Sequence, residues 1–269
     1  MNTDRIDRHP CFSKCSRSAR LHLPIAYSCN ISCNYCSRSY DCQNESRPGV
    51  TSAVLSVADS IERFRQVKAA MPNLSVVGVA GPGDALANFD SVSEIFKKIR
   101  RLDSDVLFCL STNGLYLNHF ADKIKKLGIT HITVTINTID PHIGSLLYDR
   151  INYWGKVYYG QDGAKLLLQQ QLEGIREISR LGIIVKVNTV IVQGINEACA
   201  IKVAKKANEL GAYIGNVTKH IPINGTSLGH IDSITDEKLF DIQKKCSEYI
   251  KQMYHCRQCR ADAAGSLMT

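Results

Sequence analysis

The chain has 269 residues, 44% of them hydrophobic, a composition that suits one α/β domain with a full core. No run of about 18 apolar residues occurs and no apolar segment opens the chain, so we expect neither a membrane span nor a secretory signal. The net charge of +8 is spread over predicted helices, as on solvated helix faces, and does not favour nucleic acid as a partner. We therefore expect a cytoplasmic protein and take a monomer as the working expectation.

The predicted elements alternate between strands and helices. An irregular N-terminal extension covers residues 1–20, and the apolar segment 23–27 is predicted as the first strand, with His22 at its start. A helix then begins at Thr51 or Ser52 and ends near Met71. Further strands are predicted at 75–80, 106–110, 130–136, 183–192 and 212–221. The corresponding helices are predicted at 91–102, 117–127, 164–181, 197–210 and 236–252.

This alternation gives six βα units, two fewer than a closed eight-unit barrel has. We predict an α/β fold, a partial (βα)6 TIM-like barrel over residues 21–252, in a single domain that spans 1–269. A tail at 253–269 carries a Cys-x2-Cys pair. Residues 141–163 fit the period poorly and are interpreted as a short helix followed by an irregular excursion.

Eleven cysteines are many for a chain in a reducing compartment, where thiol clusters bind metal more often than they form disulfides. Cys29, Cys33 and Cys36 follow the first predicted strand at C-x3-C-x2-C spacing. Three thiolates can hold three irons of a four-iron cluster and leave the fourth iron open to a small chelating molecule, whereas a closed site has four protein ligands. A zinc knuckle or a buried thiol group is the alternative interpretation.

The remaining thiols allow two further sets of three donors. Cys256 and Cys259 have the spacing of a metal-binding pair and form one set with Cys42. A mixed set takes Cys11, Cys109 and His22; a buried Cys109 and an exposed His22 are the alternative. Other cysteines carry no such prediction: Cys199 and Cys246 lie in predicted helices, and Cys15 could belong to either class.

Small and polar residues follow the predicted strands, where ligand-binding loops of α/β barrels lie. Gly83 and Asp84 offer exposed backbone and a carboxylate that could grip an amino group, or they form a plain turn. The hydroxyl and amide groups at the later strand ends suit a ribose or a carboxylate, although each alone is more often a helix cap. The candidate cofactor-binding residues are Gly83, Asp84, Ser111, Asn113, Thr135, Asn137, Val187 and Asn188.

The three-cysteine loop and the six βα units resemble the radical S-adenosylmethionine superfamily. Within it, several segments are similar to the NifB family, the maturases that build the core of the nitrogenase cofactor. These segments are 9–11, 29–36, 40–42, 44–50, 80–84 and 256–263. Many family members carry a further cofactor-binding domain after the C-terminal cysteine pair. Because this chain stops at Thr269, it resembles the stand-alone form.

The resemblance implies three [4Fe–4S] clusters. Cys29, Cys33 and Cys36 would hold the cluster whose open iron binds S-adenosylmethionine. The two other clusters are precursors of the product, one on Cys11, His22 and Cys109, the other on Cys42, Cys256 and Cys259. Glu45 is a candidate extra ligand or proton-handling group. Cluster donors and cofactor carrier proteins of nitrogenase assembly are the implied partners.

The implied reaction begins when one S-adenosylmethionine donates its methyl group to a cluster sulfide. A second is cleaved to a 5′-deoxyadenosyl radical, which abstracts hydrogen from that carbon. The carbon ends as a carbide, and the two clusters fuse with a further sulfide into an eight-iron, nine-sulfur core. Two alternatives remain open: a radical S-adenosylmethionine enzyme that modifies peptides and keeps its auxiliary clusters, and a non-catalytic iron–sulfur scaffold.

Overall fold

The computed structural model describes residues 3–14, 17–44, 46–47, 49 and 53–267. Its strands are β1 (Ala19–His22), β2 (Ile31–Cys33), β3 (Leu74–Val79), β4 (Leu107–Thr112), β5 (Ile129–Thr135), β6 (Tyr148–Tyr153), β7 (Lys156–Tyr159), β8 (Ile184–Ile191), β9 (Ile214–Lys219) and β10 (Ala264–Gly265). Its helices are α1 (Thr3–Asp7), α2 (Val57–Ala70), α3 (Phe89–Leu102), α4 (Leu117–Lys126), α5 (Pro141–Leu147), α6 (Gly160–Arg180), α7 (Cys199–Glu209) and α8 (Asp236–Ser247), with a 3-10 turn at Leu86–Asn88. None of the helices in these residues is long and apolar enough to cross a membrane.

The main sheet has the strand order β10-β1-β3-β4-β5-β8-β9. Neighbouring strands run parallel except for β10, which pairs antiparallel with β1. Six parallel strands joined by crossover segments form a curled half-barrel, so the predicted α/β fold with six strand units is confirmed.

The two faces of the main sheet differ in chemistry, because successive side chains of a strand point to opposite sides. On β8, Val185 and Val187 pack in the main apolar core with the helices. Lys186 and Asn188, which alternate with them, line a cavity on the concave face. The helix-covered face is therefore the core, and the concave face carries the polar groups.

The first strand lies earlier than predicted, at Ala19–His22 instead of 23–27, and His22 ends the strand rather than beginning it. Leu23 N–H still donates to Gly78 O at 2.8 Å. The next residue, Pro24, has no N–H to continue the ladder. The first long helix also begins later, at Val57, because the Ser56 hydroxyl accepts from Asp59 N–H and caps it.

Residues 141–163 are more regular than predicted. After α5 they form the hairpin β6–β7, which pairs with β2 in a second sheet of order β2-β6-β7. The turn places Trp154 and Gly155 at φ 51° and 83°, a left-handed pair that suits a two-residue hairpin. Because Cys33 pairs with Tyr148 in this sheet, the hairpin anchors the cysteine loop.

Candidate functional site

The cysteine loop lies beyond the carboxyl end of β1. Cys29, Cys33 and Cys36 all line one cavity, here called the loop cavity. Tyr35, whose side chain is fully buried, fixes the loop from below, since its hydroxyl donates to Asn44 Oδ1 at 2.8 Å. The three thiols thus converge on one space although only Cys33 belongs to a strand, the end of β2.

The donor set of the loop cavity fits an iron–sulfur cluster. Thiolates are soft ligands that favour iron–sulfur clusters and zinc over hard cations. Among the residues the structure describes, no three acidic, thiol or imidazole groups lie close enough to hold a single metal ion. Three thiols that line one cavity match the three protein ligands of a four-iron cluster with one open iron.

The Cys29 and Cys33 thiols of the loop are neutral in the metal-free protein. Burial raises the pKa of Cys29 to about 12, and the negative charge of Asp84 adds to the effect. Burial likewise raises the pKa of Cys33, with further contributions from Cys42 and Cys29. Since iron binds the thiolate, assembly of a cluster here must displace protons from these groups.

Asp84 lines the loop cavity, but its carboxylate is occupied by the chain itself. Oδ1 accepts from the N–H groups of Leu86 and Ala87 at 2.9 and 3.0 Å. Oδ2 accepts from Thr112 Oγ1 at 2.8 Å and from Asn113 N–H at 2.6 Å. Asp84 therefore joins the loops after β3 and β4 and is not the free carboxylate that the sequence suggested.

Two other predicted residues of the loop cavity are placed by tight packing. A Cβ at Gly83 would lie 2.2 Å from Ser28 O, and Gly83 N–H donates to Ala26 O at 2.5 Å. Asn113 donates to Asn30 Oδ1 at 2.6 Å and lies 3.8 Å from Cys29 Sγ. Gly83 lets the two loops approach closely, and Asn113 presents an amide to Cys29, a predicted cluster ligand.

A second cavity lies on the concave face of the main sheet and is here called the sheet cavity. Five predicted metal-binding residues line it: Cys11, His22, Cys109, Cys256 and Cys259. The sixth, Cys42, lines the loop cavity instead. Asn44 lines both cavities, so the two spaces adjoin.

The sheet cavity has a row of three residues on adjacent strands. His22 pairs with Gly78, and Gly78 pairs with Cys109. A Cβ at Gly78 would lie 2.4 Å from Cys109 Sγ and 3.5 Å from His22 Cδ2. The glycine therefore provides the space in which the thiol and the imidazole ring face each other.

Buried polar groups contact the C-terminal cysteine pair. Arg20 is 4% exposed and donates to Cys259 Sγ at 2.6 Å and to Gly265 O at 3.0 Å. Asn216 Nδ2 lies 3.4 Å from Cys256 Sγ. Burial raises the pKa of Cys259, and the Arg20 guanidinium opposes that rise because a cationic donor stabilises a thiolate.

Of the other predicted cofactor-binding residues, Asn137 contacts the cysteine loop, because its Nδ2 donates to the Tyr35 hydroxyl at 2.5 Å. Ser111 and Asn188 line the sheet cavity. Thr135 and Asn137 are buried, and Asn137 Oδ1 accepts from Val190 N–H at 2.8 Å. The Val187 side chain packs toward the helices because of the strand alternation and lines neither cavity, and its assignment stays a prediction. Glu45 and Cys15 lie outside the described residues.

Three residues of the sheet cavity escaped sequence reasoning: His9, Lys186 and Gly78. His9 is 2% exposed, lines the cavity, and accepts from Cys11 N–H at 3.2 Å. The His-Pro-Cys order of the sequence was the available signal for His9. Nothing in the pattern of β3 or β8 distinguished Gly78 or Lys186 from ordinary strand residues.

An α/β half-barrel with a three-cysteine loop beyond its first strand defines a radical S-adenosylmethionine protein. The chain belongs to that family: the Radical SAM superfamily model matches residues 23–207.

The predicted likeness to NifB is confirmed in sequence. Over 98% of its length the chain is 42% identical to the FeMo cofactor biosynthesis protein NifB of Klebsiella pneumoniae and covers 58% of that protein. For NifB of Azotobacter vinelandii the identity is 40%, over 98% of this chain and 53% of the relative. The chain thus spans a little over half the length of these curated relatives.

Solved structures agree in fold. SuiB of Streptococcus suis bound to S-adenosylmethionine has a TM-score of 0.60 at 13% identity, over 87% of this chain and 49% of that chain. The protein anSMEcpe with bound AdoMet has a TM-score of 0.55 at 14% identity, over 88% and 64%. At these identities the likeness concerns the fold alone.

Proposed function

We propose that the chain is a maturase that fuses two [4Fe–4S] substrate clusters, with insertion of a carbide and a sulfide, into the eight-iron precursor of the nitrogenase cofactor. The observation that carries the proposal is the adjoining pair of thiol-lined cavities, which share Asn44. A radical formed in one cavity would have only a short path to substrate in the other. The names of the relatives, which are FeMo cofactor biosynthesis proteins, support this choice.

In this proposal Cys29, Cys33 and Cys36 hold the resident [4Fe–4S] cluster. With S-adenosylmethionine bound, that cluster supplies the electron for cleavage to the 5′-deoxyadenosyl radical. Asn113 supports Cys29 through its amide. Arg38 lines the same cavity, and its guanidinium, held by Tyr27 O at 2.9 Å, offers positive charge to the carboxylate of S-adenosylmethionine.

The five donors of the sheet cavity, with Cys42 of the adjoining loop cavity, would hold the substrate clusters. A set of three protein donors leaves iron open and permits release of the product. Burial and the nearby charge of Arg20 lower the pKa of His22 to about 3, so the imidazole is a neutral donor at physiological pH. A neutral donor holds an iron less tightly than a thiolate, which favours release from that side.

The proposal is tested by anaerobic reconstitution with iron and sulfide, followed by iron analysis. We expect about twelve irons per chain, four from each of three clusters. Reductant and S-adenosylmethionine should then give 5′-deoxyadenosine. Iron for one cluster only, or no 5′-deoxyadenosine, would contradict the proposal. Donors and carriers of clusters are the partners that this function requires.

A further inference from the structure

Lys186 is a buried cation on the wall of the sheet cavity. It stands on β8, where the strand alternation turns it toward the concave face with Asn188. The residue is 7% exposed. Its Nζ lies 4.0 Å from Met253 Sδ and 5.7 Å from the centroid of the Phe12 ring. Neither neighbour carries a negative charge.

No acidic partner offsets this charge in the part of the chain that the structure describes. The ion pairs found there do not include Lys186. The residues that line the sheet cavity include neither aspartate nor glutamate. A buried ammonium without a counter-ion is costly, and a bound anion removes that cost.

A second cation, Arg20, lies behind one of the thiols that line the same cavity. Arg20 is buried and donates to Cys259 Sγ, which faces the cavity. Lys186 thus lies on a wall that also carries thiol ligands and a guanidinium. An iron–sulfur cluster with thiolate ligands is an anion whose sulfides accept hydrogen bonds, and an ammonium donates three of them.

We propose that Lys186 is a positioning residue that holds the anionic substrate cluster in the sheet cavity by a charge-assisted hydrogen bond to its sulfur. The inference rests on the proposed function, which makes the clusters substrates. Lys186 is not an iron ligand, because an ammonium has no lone pair. It retains the cluster while the remaining iron sites stay open.

The test compares Lys186→Met with Lys186→Arg and with Lys97→Met, an exposed lysine of α3. Each full-length variant is reconstituted anaerobically with ferrous iron and sulfide. The measurements are the rate at which a chelator removes the sheet-cavity iron and the reduction potential of that iron. The unfolding temperature of the cluster-free protein is the third measurement.

For Lys186→Met we expect iron loss about tenfold faster, the size of one charged hydrogen bond, and a lower reduction potential. Its cluster-free form should unfold at the same or a higher temperature, since an unpaired buried charge is gone. Lys186→Arg should retain iron better than Lys186→Met. Iron loss equal to that of Lys97→Met, or faster loss that only accompanies a lower unfolding temperature, would overturn the proposal.

Formation of 5′-deoxyadenosine is scored separately in the wild-type protein. Its absence would remove the proposed function, because the radical would not form. The iron retention measured for the Lys186 variants does not depend on that product, so the two failures are distinguishable.

Discussion

His22 and Cys109 face each other across Gly78, in one row of the three adjacent strands β1, β3 and β4. The imidazole and the thiol belong to segments more than eighty residues apart in the sequence. They meet because parallel pairing brings the ends of these strands together and because residue 78 has no side chain. This row is the most definite part of the mixed cysteine and histidine site.

Gly78→Ala should reduce the iron held in the sheet cavity and leave the iron of the loop cavity in place. The added methyl group would lie 2.4 Å from Cys109 Sγ, so the thiol must move. We also expect a loss of about 1–3 kcal/mol in the free energy of unfolding, as for other overpacked sites. Iron analysis and thermal unfolding are the measurements. The control is Gly49→Ala, where the only described atom within 4 Å of an added Cβ is Arg47 O at 3.8 Å. Equal iron in both variants would contradict this view.

Asp84→Asn should impair cleavage of S-adenosylmethionine. The asparagine would present an NH2 group to donors that now bind a carboxylate oxygen, including Thr112 Oγ1 and Asn113 N–H. An unsatisfied buried donor costs about 1–3 kcal/mol, and the displaced loop also carries the amide beside Cys29. The measurements are 5′-deoxyadenosine formation and the unfolding temperature. Asp241→Asn, at an exposed position of α8, is the control, and a wild-type rate for Asp84→Asn would refute the role given to this carboxylate.

Cys259→Ala should lose about four irons per chain, the content of one cluster. The matched control is Cys199→Ala on α7, whose buried thiol packs in neither cavity and should retain the full content. Iron and sulfide analysis after reconstitution measures both. Equal iron in the two variants would remove the C-terminal pair from the site.

The cluster-free protein should lose stability as the pH falls below about 6.5. Burial, with the charge of Arg5, lowers the pKa of His131 from 6.5 to about 3. Between these values the unfolded chain binds a proton that the folded chain does not, so acid favours unfolding by up to about 1.4 kcal/mol per pH unit.

Unfolding temperatures measured between about pH 7 and about pH 5 test this linkage. His131→Gln should flatten the dependence without abolishing it, because His9 and His22 act in the same direction. An unchanged slope in His131→Gln would contradict this view, because folding would then not lower the pKa of His131.

The six βα units could be predicted because buried parallel strands are nearly all apolar and each glycine stop marks a helix end. The end of β1 could not be predicted. The apolar run 23–27 suggests a strand there, but Pro24 interrupts the pairing and β1 ends at His22. The hairpin β6–β7 was missed because its aromatic side chains do not alternate strictly with polar ones.

The kinds of donor residue that line the two cavities could be predicted from the sequence. The cavity that each residue lines could not. Cys42 and Cys259 are more than two hundred residues apart, and spacing along the chain says nothing about which cavity each thiol faces. The structure places Cys42 with the loop and Cys259 with the sheet. The roles of Lys186 and Gly78 depend on where the fold places them beside the sheet cavity, and no local sequence motif marks such positions.

The most direct test of the central claim follows the sheet-cavity clusters by electron paramagnetic resonance during one turnover. Reductant and S-adenosylmethionine are added to the loaded wild-type protein and to Cys33→Ala, which lacks a ligand of the loop cluster. We expect the signals of the sheet-cavity clusters to disappear in the wild type, together with 5′-deoxyadenosine formation, and to persist in Cys33→Ala. Signals that survive unchanged in the wild type while 5′-deoxyadenosine forms would contradict the account, because the clusters would then be permanent parts of the protein.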